Sequence, residues 1–204
     1  MRKQNRNKEG RDVRRYVWFF TCMILFVVVI SDTTVIFAES GRVYTAAINR
    51  CYSHPVTGVI EDAGGEAAYA TGQGMVESAI TTTGLLEITD SGNYYLTVRM
   101  SMMDYTSGHT FVVQNVGDSG WMNTTVEGIA NGTDSNGTTA DFRIQVPSES
   151  CVVRCTMNVT PMGRDVIFYF YPSNYSEGNT SGMTAGIVTE VSQTTSAAGT
   201  QSSE

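Results

Sequence analysis

Apolar and polar side chains alternate through Tyr94-Tyr95-Leu96-Thr97-Val98-Arg99-Met100-Ser101-Met102. Leucine, valine and methionine share one face of this segment with one tyrosine, while threonine, arginine and serine share the other face with the second tyrosine. A second segment, Ala140-Asp141-Phe142-Arg143-Ile144-Gln145-Val146, alternates in the same way. Because successive side chains of a strand point to opposite faces, both segments are predicted to be half-buried antiparallel strands.

The same pattern recurs in shorter segments, and no long stretch has the 3.6-residue period of an amphipathic helix. Further strands are predicted at 43–49, 84–89, 110–116, 121–127, 151–159 and 165–171. Turns are predicted at Ser91-Gly92-Asn93, Asn131-Gly132 and Asn136-Gly137. Seven or eight strands without crossover helices indicate an all-β fold of two packed antiparallel sheets. Residues 60–75 are predicted to be an irregular loop or a short helix that leads to Met75.

The N-terminus has the composition of a secretory signal peptide. Residues 1–15 carry seven basic side chains, and a largely apolar stretch follows at 16–30. As a helix, residues 17–30 would reach about 21 Å, short of the ~30 Å hydrocarbon core of a bilayer. A signal peptide cleaved after Ala38 is therefore favoured, and an uncleaved N-terminal anchor stays open as the alternative.

Three regions are predicted: the signal peptide or anchor at 1–38, a folded β domain at 39–175, and a flexible tail rich in Ser, Thr and Gly at 176–204. The tail offers too little apolar area to offset chain entropy. From Glu39 onward six arginines, with no lysine, stand against 17 acidic residues, a net charge of −11. An acidic surface repels phosphate backbones, so nucleic acid is not expected as a partner.

Three cysteines, Cys51, Cys151 and Cys155, follow the signal segment. Cys151 and Cys155 share one predicted strand with Cα atoms about 13 Å apart, whereas a disulfide needs less than ~7 Å. A disulfide from Cys51 to either Cys151 or Cys155 is therefore predicted, with a stabilisation of roughly 2–4 kcal/mol. The chain has no Cys-x-x-Cys and only two histidines, which argues against a zinc site.

The two histidines offer little catalytic potential. His54 is predicted to be a structural hydrogen-bonding residue of a loop, and His109 to be exposed to solvent at a strand entry. Neither belongs to a recognisable catalytic triad, so an enzyme is not expected. The acidic residues Glu61, Asp62 and Glu66 do not have the spacing of a calcium loop and are predicted to form a solvated acidic loop.

Two methionines occupy backbone settings that ordinary core packing does not require. Met75 follows Gly72-Gln73-Gly74, and Met162 lies in Pro161-Met162-Gly163-Arg164. Glycine lets the main chain approach a flat group, and proline fixes the backbone direction just before the second sulfur. Two thioethers held in this way are suited to grip a metal between them, although methionine most often fills gaps in cores.

Three longer segments contain these settings: His54-Pro55-Val56-Thr57-Gly58-Val59-Ile60-Glu61-Asp62-Ala63-Gly64-Gly65, then Gly72-Gln73-Gly74-Met75-Val76-Glu77, then Pro161-Met162-Gly163-Arg164-Asp165-Val166-Ile167-Phe168-Tyr169. Leu96–Ser101 and Gly132–Thr139 support them. In this order the segments resemble the Shp family of Gram-positive cell-surface haem-binding proteins, over roughly residues 44–172. Several separated matches in one order are more specific than a single short motif.

The resemblance implies an immunoglobulin-like antiparallel β-sandwich at 39–175 that binds haem b outside the cell, at the cell surface. It implies that Met75 and Met162 are the two axial ligands of the haem iron. It also implies that the protein takes haem from a surface donor protein and relays it to the lipoprotein of an ABC importer. Two uncharged thioethers would favour ferrous iron, and two filled axial positions would leave none for oxygen chemistry.

The haem propionates require compensating charge in a chain with few cations. Arg164 is the first candidate because it lies two residues beyond Met162, and Arg50 and Arg99 come next. Candidates for lining the haem pocket are the aromatic residues Tyr69, Tyr105 and Trp121. The alternative function is a non-haem extracellular adhesion or recognition module of the same fold, in which all methionines serve packing.

Overall fold

Antiparallel strands make up most of the fold in the computed structural model, which describes residues 39–187. The nine strands within these residues are β1 (Gly41–Cys51), β2 (Ile80–Thr89), β3 (Tyr94–Met100), β4 (Thr106–Asn115), β5 (Met122–Asn123), β6 (Val126–Asp134), β7 (Gly137–Val146), β8 (Cys151–Val159) and β9 (Arg164–Glu177). An α-helix, α1 (Tyr69–Ala79), connects β1 to β2. Short 3-10 helices lie at Glu66–Ala68, Met103–Tyr105 and Thr160–Met162.

The strands form one continuous sheet in the order β5-β4-β8-β9-β1-β2-β3-β7-β6. The sheet curls on itself, because Thr124 and Thr125 alone connect β5 at one end of this order to β6 at the other. Five strands separate β4 from β7, yet the rings of Phe111 and Phe142 have centroids 5.4 Å apart. The prediction of an all-β, immunoglobulin-like antiparallel sandwich is confirmed, with nine strands rather than seven or eight.

The two alternating segments are neighbouring strands. In the β3–β7 ladder Leu96 pairs with Ile144 and Val98 pairs with Phe142, so their apolar faces enter the core together. The turn predicted at Asn131-Gly132 was wrong, because both residues pair with β7 and the chain reverses only at the next Asn-Gly, where Gly137 has a φ of 117°. The β6–β7 ladder lies at one end of the sheet order, and it continues until Gly137, which tolerates positive φ, closes the hairpin.

The ordered fold extends past the predicted domain end at residue 175. Residues 178–187, here called the C-terminal strap, follow β9, and Gly178 exchanges backbone hydrogen bonds with Val43 and Thr45. Glu87 is fully buried and accepts hydrogen bonds from the amides of Gly186 (2.6 Å) and Ile187 (2.9 Å). The predicted start of a flexible tail at residue 176 is therefore too early. The predicted signal segment, 1–38, and residues 188–204 lie outside the described residues.

All three cysteines of the described residues are free, so the disulfide predicted from Cys51 to Cys151 or Cys155 was wrong. The reason is the strand order, in which β9 separates β1 from β8. Cys51 pairs with Tyr169, which in turn pairs with Arg154, so Cys51 and Cys155 lie on strands about 10 Å apart. A disulfide cannot bridge that separation. Burial raises the pKa of both β8 thiols, to about 12 for Cys151.

Of the helices in residues 39–187, none combines the length and the apolar composition that a bilayer span requires.

Candidate functional site

A cavity of about 620 Å³ opens between α1 and the turn that joins β8 to β9. This volume lies within the ~300–1,000 Å³ typical of cofactor sites. Thr71, Met75 and Ser78 recur at helical spacing along α1 and form one wall. The remaining lining residues are Tyr52, Asp62, Ala68, Gly72, Gly74, Val76, Ala79, Met102, Tyr105, Thr106, Met157, Val159, Pro161, Met162, Arg164, Val166, Ile167 and Phe168.

The cavity is largely apolar, with a buried floor and an exposed mouth. Buried side chains from α1, β8 and β9 form the floor, namely Val76, Ala79, Met157, Val159, Val166 and Phe168. Tyr105 and Met162 are 54% and 41% exposed and mark the mouth. Such a slot removes the apolar face of a ligand from water and leaves a polar edge in contact with it.

Contacts with β1 hold α1 in place more than its own helix propensity does. The helix contains Gly72 and Gly74, each of which costs about 1 kcal/mol relative to alanine. The Gln73 side chain donates to the carbonyl of Arg50 and accepts from the amide of Tyr52, both at 2.9 Å. The Arg50 guanidinium donates to the carbonyls of Glu77 (2.5 Å) and Ile80 (3.1 Å), at the end of the helix.

The two glycines of α1 have different surroundings. A Cβ atom on Gly72 would lie 2.5 Å from Cε2 of Tyr52, so the flat group that the main chain approaches there is the Tyr52 ring. A Cβ atom on Gly74 would meet nothing within 4 Å, and Gly74 lines the cavity. The close backbone approach predicted from the sequence is thus a packing contact at Gly72 and open space at Gly74.

The structure brings Met75 and Met162 together as lining residues of the same cavity. Met75 is half-buried on α1, and Met162 ends the 3-10 helix Thr160–Met162, in which Pro161 precedes it. Gly163 follows at a φ of 62° and turns the chain into β9. This left-handed conformation favours glycine, which explains the Pro-Met-Gly order.

Two further methionines that sequence reasoning missed also line the cavity. Met157 forms part of the floor and is 4% exposed. Met102 is half-buried in a left-handed conformation with a φ of 59°, which is rare for a side chain of its size. The only sequence signal for Met102 was its place at the end of the first alternating segment.

Neither histidine lines the cavity. His54 is buried, its Nδ1 accepts from the amides of Val56 and Thr57 at 3.2 Å, and its Nε2 lies 2.8 Å from the Gln114 carboxamide, which confirms its predicted structural role. His109 packs half-buried against the Phe142 ring rather than facing solvent, and burial lowers its pKa. Among the described lining residues, the side chains able to ligate iron are therefore thioethers, phenols and the Asp62 carboxylate.

Asp62 is the hub of a buried polar network at the cavity wall. It forms a bidentate ion pair with Arg164 (2.9 and 3.0 Å) and accepts a hydrogen bond from the Tyr52 hydroxyl (2.7 Å). Burial alone would raise the pKa of Asp62, but the hydrogen bonds from Arg164, Tyr52 and two backbone amides outweigh it and hold the pKa well below its usual range. The prediction of a solvated acidic loop was wrong for Asp62, which is 4% exposed.

Of the residues predicted to bind the propionates or to line the pocket, only some line the cavity. Arg164 lines the cavity, whereas Arg50 caps α1 and Arg99 pairs with Asp141, and neither of these two lines it. Tyr105 lies at the mouth. The ring of Tyr69 packs edge-on against Tyr52, and Trp121 stacks on Tyr169, so the prediction that these two line the pocket was wrong.

The family model described as "Cell surface heme-binding protein Shp" matches residues 40–188, which is more than half of the chain. No curated protein matches the chain. The matched range includes α1, all nine strands and every residue that lines the cavity. The chain therefore belongs to the Shp family of cell-surface haem-binding proteins.

Proposed function

We propose that the protein holds one haem b in the cavity between α1 and the β8–β9 turn, with Met75 and Met162 as axial ligands of the iron. The observation that carries this proposal is that both methionines line one largely apolar cavity, to which no histidine or cysteine of the described residues contributes. Haem b is the form expected because the sequence has no Cys-x-x-Cys-His motif for covalent attachment.

The lining residues suit the three chemically distinct parts of a haem. Thioethers suit the iron, and the buried floor from Val76 to Phe168 suits the porphyrin face. Arg164 suits a propionate, since Asp62 and the carbonyl of Asp165 leave N–H groups of its guanidinium unused. These roles follow from the chemistry of the lining side chains.

Weak axial ligands suit a carrier that must release its cargo. Thioethers are soft and neutral, so they favour ferrous over ferric iron. Affinity would then come mainly from apolar burial, at about 25 cal/mol per Å² of apolar surface. Met162 is 41% exposed at the mouth whereas Met75 is half-buried on α1, so an incoming partner reaches the Met162 side first.

The partners in this proposal are a haem-donor surface protein and the haem-acceptor lipoprotein of an ABC importer. Charge supports a basic docking face on the acceptor, since the chain from Glu39 onward carries a net charge of −11. Transfer from the haem-loaded protein to the apo-lipoprotein, followed by absorbance, is then expected to slow as salt concentration rises. A transfer rate that salt does not change would contradict electrostatic docking.

Haem titration of the apoprotein tests the ligand assignment. The wild type is expected to develop a sharp Soret band with the spectrum of low-spin, six-coordinate iron. Met75→Ala and Met162→Ala should each lose the low-spin spectrum, and the double variant should bind haem more weakly and without that spectrum. Met103→Ala is the matched control, because Met103 is half-buried nearby but does not line the cavity.

Two results would overturn the assignment. One is a double variant that keeps the wild-type spectrum, which would place the ligands elsewhere. The other is a wild type that develops no Soret change at any haem concentration, which would instead support a non-haem adhesion or recognition module.

A further inference from the structure

The Asp62 carboxylate accepts more hydrogen bonds than an ordinary ion pair needs. Its Oδ1 accepts from the Tyr52 hydroxyl (2.7 Å), the Gly64 amide (2.8 Å) and Arg164 Nη2 (3.0 Å). Its Oδ2 accepts from Arg164 Nη1 (2.9 Å) and the Ile167 amide (3.1 Å). A buried carboxylate held by five donors is fixed in position and fixes its donors in turn.

Three of these donors lie on, or pack against, the segments that carry the proposed iron ligands. Arg164 and Ile167 lie on β9, and Arg164 is two residues beyond Met162. Tyr52 directly follows β1, and its ring packs on α1 at Gly72, about one helical turn before Met75. The Asp62 carboxylate links the Tyr52 hydroxyl to Arg164 and Ile167 of β9, in addition to the backbone ladder in which Cys51 pairs with Tyr169.

We propose that Asp62 is a positioning residue for iron ligation, whose carboxylate sets the placement of the Met75 helix relative to the Met162 turn. This inference rests on the proposed function above. Asp62 does not ligate iron in this role, because all of its lone-pair positions face protein donors. It acts through Tyr52 on one side and through Arg164 on the other.

The negative charge of Asp62 should affect the reduction potential of the bound haem, which a purely packing role would not. Arg164 is the only cation among the described residues that line the cavity, and Asp62 neutralises it. Asp62→Asn keeps the size of the side chain but removes one negative charge from beside Arg164 and the haem, which makes the surroundings of the iron more positive by one unit. An extra positive charge disfavours ferric iron, so the reduction potential of the bound haem is expected to rise.

The chain offers a matched control in the Arg99–Asp141 pair. Asp141 is 2% exposed and Asp62 is 4% exposed, and each forms a bidentate ion pair with an arginine. The Arg99 and Arg164 side chains are 32% and 33% exposed. Neither Arg99 nor Asp141 lines the cavity. Asp141→Asn therefore reproduces the loss of a buried ion pair without touching the proposed site.

The experiment compares wild type, Asp62→Asn and Asp141→Asn in three measurements: thermal unfolding of the apoprotein, the rate of haem dissociation to a scavenging apoprotein, and the reduction potential of the bound haem. Both variants are expected to lower the melting temperature. Asp62→Asn is expected to speed dissociation about 10- to 100-fold, the usual effect of removing a group that orients metal ligands, and to raise the potential. Asp141→Asn is expected to change neither measurement of the bound haem.

The proposal is overturned if the two variants alter dissociation and potential equally, because Asp62 would then be structural only. If Asp62→Asn does not fold, Tyr52→Phe replaces it: that variant keeps the ring on Gly72 and removes one donor, and unchanged dissociation and potential in it would also overturn the proposal. If the proposed function itself is wrong, the wild-type spectrum will show no thioether ligation. That result is distinct from the outcomes that overturn the role of Asp62.

Discussion

Alanine replacements at the two glycines of α1 are expected to have opposite effects on stability. A methyl group at position 72 would lie 2.5–2.7 Å from three atoms of the Tyr52 ring, whereas at position 74 it would meet nothing within 4 Å. The Tyr52 ring has little freedom to retreat, because its hydroxyl donates to buried Asp62. Gly72→Ala should therefore destabilise the fold and Gly74→Ala should stabilise it.

The magnitudes follow from two opposing effects. Alanine gains about 1 kcal/mol over glycine in a helix interior, and this applies equally at both positions. Overpacking at position 72 costs roughly 1–3 kcal/mol, so Gly72→Ala is expected to lose about 0–2 kcal/mol of stability in total. For a protein of this size 1 kcal/mol corresponds to roughly 2–4 °C, so the two melting temperatures should differ by about 2–12 °C.

Circular dichroism during thermal and urea unfolding of the apoproteins measures this difference. Haem titration of the same variants adds a second readout, because Gly74 lines the cavity. Gly74→Ala is expected to weaken haem binding while raising the melting temperature, a combination that general destabilisation cannot produce. A Gly74→Ala variant that melts no higher than Gly72→Ala would show that contact with the Tyr52 ring does not set the tolerance of these positions.

Three further predictions follow from contacts outside α1. Hydrogen bonds hold the pKa of Asp62 below its unfolded value near 4, so the contribution of Asp62 to folding stability is complete above that pH and is lost as pH falls toward the folded pKa. In urea unfolding, the stability difference between wild type and Asp62→Asn should therefore be smaller at pH 3 than at pH 6. Truncation after Glu177 removes two amide donors from buried Glu87 and should cost about 2 kcal/mol or more in urea unfolding, whereas a tail without contacts would cost nothing. Since Cys151 and Cys155 are buried free thiols, reducing agents should leave the melting temperature unchanged, and thiol reagents should label both only on unfolding.

The strand content was predictable because it depends on local alternation. The β3 and β7 segments each place apolar side chains on one face, and that pattern is the same whichever strands become neighbours. The family motifs also selected Met75 and Met162 from the many methionines of the chain, and both line the cavity. Short glycine- and proline-containing motifs carry this information because they shape the backbone locally.

Features that depend on non-local partners were not predictable. The sequence left residues 60–75 open between an irregular loop and a short helix; the helix forms at Tyr69–Ala79, where the side chains of Gln73 and Arg50 link it to β1. The disulfide prediction failed because it needed the strand order, which places β9 between β1 and β8. Asp62 was mistaken for a solvated residue because its strongest partner, Arg164, is distant in sequence.

The proposed function depends most on the binding of one haem iron by two methionine sulfur atoms. Iron K-edge X-ray absorption of the haem-loaded protein counts the sulfur atoms in the first coordination shell directly. Two sulfur ligands are expected in the wild type, one or none in Met75→Ala and in Met162→Ala, and two in Met103→Ala. A wild-type shell with no sulfur, or one that both ligand variants leave unchanged, would contradict the proposed function.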